Sequence, residues 1–263
     1  MGAYGGIFLV AVRELLVYPQ QLLTTALLVP TRLVVLLLIY SYAFSYRGEA
    51  VNGITASVAI WSIVVYQILL FTQFRGIFRT ISAEIKQGIL EVHLNKPYQY
   101  LLYKFWEQLG KGLPIFLVSL LTAVPILLLL TGGPQVSLNT SMIVGGILLM
   151  FGGTLVSACL YILISLPALW IDDAEPFFWI VDKAVMILGG AYIPIALLPD
   201  NVQFFASVSP FGAPMFATQM FNPSFSSQWV ALLTVQAFWI SFFLLMIILV
   251  FHKAQKSLSV NGG

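Results

Sequence analysis

Long apolar runs dominate the chain, and six of them have about the length that a membrane-spanning helix needs. Such a helix takes about 20 mostly apolar residues to cross the hydrocarbon core of a bilayer. The predicted spans cover about residues 22–45, 54–73, 112–131, 141–170, 177–198 and 229–251. No polar stretch between them is long enough to form a soluble domain. The pattern therefore predicts one all-α, polytopic membrane domain over residues 1–263, with six transmembrane helices.

The segment before the first span, residues 2–18, is apolar but too short and too interrupted to cross. It contains Arg13 and Glu14, which would face water if the segment were a helix lying on the membrane surface. The side chains predicted to face lipid from this interfacial helix are Ile7, Val10, Leu15 and Val17.

The longest polar stretch lies between predicted spans 2 and 3 and has the pattern of an amphipathic helix. Apolar residues recur at steps of three and four from about Arg79 to Leu94, and Pro97 ends the pattern. The apolar stripe, predicted to pack on the ends of the spans, is Ile81, Ile85, Ile89 and Val92. The side chains predicted to stay free for a partner are Glu84, Lys86, Gln87 and Glu91. Gly88 lies in their midst and would permit a close approach of backbones.

The segment Pro199–Gln228, between predicted spans 5 and 6, is too apolar for an ordinary loop and too broken by prolines for a span. We predict a re-entrant hairpin of two short helices joined near residues 210–212. Its phenylalanines Phe204, Phe205 and Phe211 are candidates for an apolar plug that water would cross poorly.

Composition supports a lipid environment, and the charge distribution orients the chain in it. Hydrophobic residues make up 60% of the chain and charged residues 8%, whereas soluble domains have roughly 25% charged residues. Basic residues concentrate at the termini and in the 2–3 and 4–5 loops, while the opposite loops hold only Arg47. By the positive-inside rule, both termini are predicted to be cytoplasmic, with the chain in the cell (inner) membrane. The basic residues of that side are Arg13, Arg75, Arg79, Lys86, Lys96, Lys104, Lys111, Lys253 and Lys256.

The sequence has few candidates for chemistry. One cysteine, Cys159, excludes an internal disulfide, and two distant histidines make a metal site improbable. The phosphate-binding loop G-x-x-x-x-G-K-[ST], the G-x-S-x-G elbow and the H-E-x-x-H motif are all absent. The acidic cluster around Asp172, Asp173 and Glu175 is interpreted as a solvated turn or a docking surface for a partner. We therefore expect no enzymatic activity, no metal and no nucleic-acid partner.

Charged side chains inside the predicted spans are candidates for a pathway or an interface. Arg32 lies within the first span, where it could face a water-filled path, a substrate or a second subunit. It could equally extend its long side chain toward the cytoplasmic surface. Asp182 and Lys183, near the start of the fifth span, leave the same choice between a local charge pair and an interface.

Small residues recur along predicted span 4, where they would let helix backbones approach closely in lipid. They predict a tight helix–helix or subunit contact, although glycine enrichment is also common in membrane helices. The residues are Gly145, Gly146, Gly152, Gly153 and Ser157.

The 2–3 loop contains the pattern Glu84-x-x-x-Gly88-x-Leu90-Glu91-x-x-Leu94-x-x-Pro97. This pattern resembles the cytoplasmic segment of type-2 ABC exporter permeases, although His93 and Asn95 stand where members of that family often carry apolar or small residues. The run from Gly190 to Pro194, followed by Leu198-Pro199 and Ser209-Pro210-Phe211, is also similar to that family. The order of these motifs extends the resemblance over nearly the whole chain.

The resemblance implies a permease that works as a dimer, with itself or with a sister permease. Two separate ATPase subunits, which would hold ATP and Mg²⁺, are expected to dock on the cytoplasmic face and drive export of a substrate. In this family the helix of the 2–3 loop transmits their motion. Two other classes remain open: an ion- or proton-coupled secondary transporter, and a membrane-embedded enzyme.

Overall fold

The computed structural model describes residues 2–47, 50–51, 53–70 and 74–261, and most of these residues are helical. The side chains at 47, 51 and 254–261 are outside the description. The helices are α1 (Ala3–Val17), α2 (Gln20–Arg47), α3 (Ala56–Leu70), α4 (Arg75–Lys86), α5 (Ile89–Leu94), α6 (Tyr100–Thr131), α7 (Thr140–Ser165), α8 (Glu175–Leu188), α9 (Asp200–Val208) and α10 (Phe225–Asn261). A small hairpin of β1 (Ala50–Val51) and β2 (Ile54–Thr55) links α2 to α3, with Ala50 opposite Thr55. Three 3-10 helices cover Leu166–Leu169, Ile195–Leu197 and Ala213–Phe221.

Five stretches of the described chain are long and apolar enough to cross a membrane. They are Gln20–Tyr46, Ala56–Lys86, Tyr100–Thr131, Thr140–Leu169 and Phe225–Lys253. Residues 71–73, which end the predicted second span, lie outside the described part. The predominantly helical, membrane-spanning character predicted from the sequence is therefore confirmed.

The predicted fifth span, 177–198, differs from the helix found there. The helix α8 ends at Leu188 and has 14 residues, which give it a length of about 21 Å against a hydrocarbon core of about 30 Å. Gly190 follows with φ of 86°, a left-handed conformation that stops a right-handed helix and that glycine adopts freely. The apolar run from 189 to 198 therefore continues as turns and a short 3-10 helix, although its composition alone indicated a span.

The 3-10 helix Ala213–Phe221 occupies the middle of the bundle, where it contacts α3, α7 and α10. Ala213, Met215 and Phe216 are fully buried there. Gln236 of α10 fixes the arrangement, because its side-chain amide donates hydrogen bonds to the carbonyl oxygens of Leu149 and Ala213 at 3.0 and 2.9 Å. The segment 199–228 thus supplies part of the core and is not a peripheral loop.

One end of the bundle gathers most of the basic residues, and we call it the basic end. It comprises α1, α4, α5, the first turns of α6 and the last described turns of α10. Helix α1 packs along α6, and Leu94 of α5 shares a cavity with Ile248 and His252 of α10. Leu15, predicted to face lipid from α1, is instead buried against this end, because α1 lies on α6.

Candidate functional site

The amphipathic segment of the 2–3 loop is two helices and not one. The prediction of a continuous helix from Arg79 to Leu94 is wrong, because Gly88 has φ of 70° and separates α4 from α5. No atom would lie within 4 Å of a Cβ added at Gly88. Glycine is therefore needed here for its backbone conformation, and the predicted close backbone approach is absent.

The break at Gly88 changes which apolar side chains pack on the bundle. Ile81 is fully buried and Ile85 is half-buried, as the stripe predicts. Ile89 and Val92, however, are 38% and 57% exposed, and Leu90 is buried in their place. The left-handed residue rotates α5 about its axis relative to α4, so the three- and four-residue spacing no longer continues across it.

Glu84 is tied to α6 and is not free for a partner, contrary to the prediction. Its carboxylate accepts hydrogen bonds from Lys104 Nζ at 2.6 Å and from the Tyr100 hydroxyl at 2.7 Å. Lys104 is almost completely buried and also contacts Glu107 at 2.9 Å, which in turn pairs with Lys111 at 2.8 Å. This ladder of charges fixes α4 against α6.

A second ion pair fixes the beginning of α4 to α8. Arg75 holds Asp182 through two contacts of 2.6 Å, and the Tyr161 hydroxyl donates a third hydrogen bond to the same carboxylate at 3.1 Å. The Asp182 side chain is 1% exposed. Lys183, its neighbour in sequence, is half-exposed and lies over the Trp179 ring. Of the predicted pair, Asp182 is therefore a buried anchor that joins α8 to the beginning of α4, and Lys183 faces outward.

The exposed part of this segment centres on the break between α4 and α5. Gln87, Glu91 and Pro97 are exposed, and Lys86 lies 3.8 Å from Asp173 in a solvated ion pair. We call Lys86, Gln87 and Glu91 the loop surface. Behind it, the Tyr98 hydroxyl lies 2.6 Å from His93 Nδ1, and burial lowers the pKa of His93. A neutral imidazole can accept the hydrogen bond from Tyr98.

Arg32 lies at the mouth of a cavity of about 390 Å³ between α2, α3 and the end of α8. Its side chain is exposed and has no ion-pair partner among the described residues. Along α2 it is about 18 Å from Gln20, near the middle of the helix. An arginine at that depth is unfavourable by about 2.5 kcal/mol or more, so a polar contact is expected to cover it.

The three candidate phenylalanines of the outer segment do not gather at one place. Phe204 and Phe205 on α9 are 70% and 53% exposed on the surface of the chain. Phe211, in the link between α9 and the following 3-10 helix, packs against the core. Two short helices joined near residues 209–212 are present. The three rings of one chain therefore do not form an apolar plug together.

The small residues of α7 lie where other elements approach most closely. A Cβ at Gly145 would come within 2.7 Å of the Trp229 ring, and one at Gly146 within 3.3 Å of Met220. A Cβ at Gly152 would overlap the Gln236 side chain, and one at Gly153 the carbonyl oxygen of Pro214. The Ser157 hydroxyl accepts a hydrogen bond from the backbone N–H of Phe74 at 3.2 Å. These contacts are within the chain, to α10, the central 3-10 helix and the beginning of α4.

Sequence reasoning missed the residues that connect the candidate groups: Tyr66, Gln67, Arg75, Tyr100, Lys104, Glu107 and Tyr161. For Lys104, Glu107 and Lys111 a signal existed, since steps of three and four place them on one helix face. No local pattern pairs Arg75 with Asp182 across 107 positions.

The described residues contain no group of three or more His, Cys, Asp or Glu side chains able to hold a metal ion. No protein-family model, curated protein or solved structure matches this chain.

Proposed function

We propose that this chain is the membrane-spanning permease subunit of an ATP-driven ABC exporter. It would form the translocation pathway with a second permease, identical or homologous, and receive motion from separate ATPase subunits that hold ATP and Mg²⁺. The proposal places the basic end in the cytoplasm of a cell with the chain in its inner membrane, and the segment 199–228 outside.

The observation that carries the proposal is the way the α4–α5 segment is attached. Arg75 binds it to α8 and Glu84 binds it to α6, through charged contacts of 2.6 Å at either end of α4. The loop surface projects from the same segment and is exposed. An ATPase can work a membrane pathway only through an element that touches both. This segment is attached to α6 and α8, and its exposed loop surface supports the proposal that an ATPase docks there.

Glu91 is a better candidate than Glu84 for the predicted contact with the ATPase, because Glu91 is exposed and Glu84 is paired with Lys104. In the assembled complex with its ATPase, Glu91→Lys is expected to reduce transport at least tenfold while ATP hydrolysis continues. Charge reversal at a docked surface adds repulsion, whereas at a solvated position it changes little. Transport into sealed vesicles and ATP hydrolysis are measured on the same preparation. Glu91→Gln is the matched control, since it removes the charge without reversing it. Wild-type coupling in Glu91→Lys would count against the proposal.

Glu84→Lys is expected to act differently, through folding. It would place a second cation beside the buried Lys104, so loss of the folded protein in membranes is the expected result. Normal insertion and thermal stability of Glu84→Lys would show that the charge ladder does not hold α4 against α6, which would count against a transmission role for the α4–α5 segment.

A further inference from the structure

The cavity between α2, α3 and the end of α8 combines an apolar wall with polar groups that pair with no other described residue. Its volume is about 390 Å³, within the range of small-molecule sites. The apolar lining includes Val35, Leu36, Leu70 and Met186. The polar groups come from Arg32 on α2 and from Tyr66 and Gln67 on α3.

The unpaired polar atoms are the unusual feature. Tyr66 is completely buried, yet within the described part of the chain its hydroxyl has no hydrogen-bond partner, and Gln67 Oε1 is likewise buried without one. Buried polar atoms are nearly always paired, and leaving one unpaired is unfavourable. Arg32 adds an uncompensated positive charge to the same cavity. The cavity therefore has an exposed cation at its mouth and, just behind its lining, a hydroxyl donor and an amide acceptor that have no hydrogen-bond partner among the described residues.

We propose that this cavity is a mid-membrane binding site for an anionic amphiphile. The anionic group would contact Arg32, which is exposed at the mouth. A small rotation of the two buried side chains would then let the Tyr66 hydroxyl donate to the same group and Gln67 Oε1 accept from a hydroxyl or ammonium beside it. The acyl or alkyl chain would follow the apolar wall. A single-chain phosphate or carboxylate amphiphile and an acidic phospholipid share this chemistry. The inference rests on the proposed export function only in naming the class of cargo; binding itself needs no ATPase.

The depth of the site favours a transported molecule over a resident surface lipid. Arg32 lies about 18 Å along α2 from Gln20, near the middle of a stretch that is 27 residues long. A phospholipid at rest keeps its headgroup at the bilayer surface, some 15 Å from the midplane. A headgroup bound at Arg32 would thus be between the two leaflets, as a molecule in passage must be.

The test measures binding of radiolabelled dodecyl phosphate to the full-length chain in dodecyl maltoside micelles. The expected result is saturable binding of one equivalent per chain. Arg32→Gln should raise the half-saturating mole fraction at least tenfold, since it removes a charge-assisted contact. Tyr66→Phe should raise it three- to tenfold, and because it deletes only an unpaired hydroxyl it should fold as well as the wild type. Arg79→Gln and Tyr42→Phe, which change the same residue types outside the cavity, should bind as the wild type does.

Competition identifies the source of the ligand. Displacement of the probe by phosphatidylglycerol but not by phosphatidylcholine assigns the site to an acidic phospholipid; no displacement by either assigns it to a single-chain amphiphile. Non-saturable binding, or equal binding by Tyr66→Phe and the wild type, overturns the proposal. A cysteine introduced at position 35 gives a further test. If the preparation forms a disulfide-linked dimer through this cysteine and fails to bind the probe, a second copy of the chain covers Arg32, and the proposal is overturned. Failure to find an ATPase partner would refute the exporter but leave this binding result unchanged.

Discussion

Separating Arg75 from Asp182 should destabilise the protein by an amount that depends on which partner is removed. In Arg75→Gln the Asp182 carboxylate, 1% exposed, loses two contacts of 2.6 Å and keeps only the Tyr161 hydroxyl. Removing one partner of a buried pair is unfavourable by about 3–5 kcal/mol. Arg75 is itself 29% exposed, so water can reach its place and partly solvate the Asp182 carboxylate when the guanidinium is removed. We therefore expect a loss of unfolding free energy near the lower limit, about 3 kcal/mol.

Asp182→Asn should be less unfavourable, because the charge it leaves behind is Arg75, which water can reach. Hydrogen bonds to charged groups contribute about 1.5–3 kcal/mol, and the new amide keeps the shape of the carboxylate. We therefore expect a loss of about 1.5–2 kcal/mol. In the double variant no buried carboxylate is left unpaired, so its loss should be about that of Asp182→Asn alone.

The assay is reversible unfolding of the purified chain in dodecyl maltoside micelles titrated with sodium dodecyl sulfate, followed by tryptophan fluorescence. Lys183→Gln is the control: Lys183 lies 3.9 Å from the same carboxylate but is 53% exposed, so its removal should change the unfolding free energy by less than about 1 kcal/mol. Equal losses of unfolding free energy in the two single variants, with a loss in the double variant that equals their sum, would show that Arg75 and Asp182 do not act as a buried pair.

Three further predictions test the packing, the pH response and the orientation. Gly153→Ala should lower the unfolding free energy by about 1–3 kcal/mol or more, since its methyl group would overlap the Pro214 carbonyl. Gly6→Ala, which has open space around it, is the control and should be neutral or slightly stabilising. Equal thermal stability of the two variants would contradict the close packing at Gly153. Burial lowers the pKa of His93, so as the pH falls the unfolded chain binds a proton at a higher pH than the folded chain does. The contribution of neutral His93 to the unfolding free energy should therefore be complete above about pH 6.5 and decrease as the pH falls below it. His93→Gln should lose part of that dependence in thermal unfolding between pH 8 and pH 5.5, and an unchanged slope would exclude His93 as its source. On a Cys159→Ala background, impermeant thiol reagents should label a cysteine at position 86 only from the cytoplasm and one at position 201 only from outside; the reverse pattern would overturn the orientation.

The sequence predicts the membrane-spanning helices well because an apolar run of span length has few alternatives in a bilayer. The predictions from the sequence that were wrong concern short segments, and each has a cause within that segment. A single left-handed residue, Gly88, divided the amphipathic helix and moved Ile89 and Val92 to the surface. Another, Gly190, ended α8 although the apolar composition continued past it. Periodicity and hydropathy record which side chains prefer lipid, and they do not record where the backbone changes direction.

The candidate site was predictable only as a list of separate residues. Glu84 and Asp182 stood out as charges near membrane spans, but their partners Lys104 and Arg75 lie 20 and 107 positions away. Glu84 is paired and Glu91 is exposed, and this difference depends on tertiary contacts that the local sequence does not show. The unpaired hydroxyl of Tyr66 leaves no trace in the sequence, since it is defined by the absence of a neighbour.

The most direct test of the central claim asks what touches the loop surface in native membranes. A photo-crosslinking amino acid is placed at position 87, which is exposed beside the break between α4 and α5, and a matched one at position 138, exposed in the loop before α7. After irradiation, the covalent partners are identified by mass spectrometry and assayed for ATP binding. We expect position 87 to capture an ATP-hydrolysing protein with a phosphate-binding loop, and position 138 to capture none. Crosslinks from position 87 to lipid or to this chain alone, in membranes that contain the functional protein, would contradict this expectation.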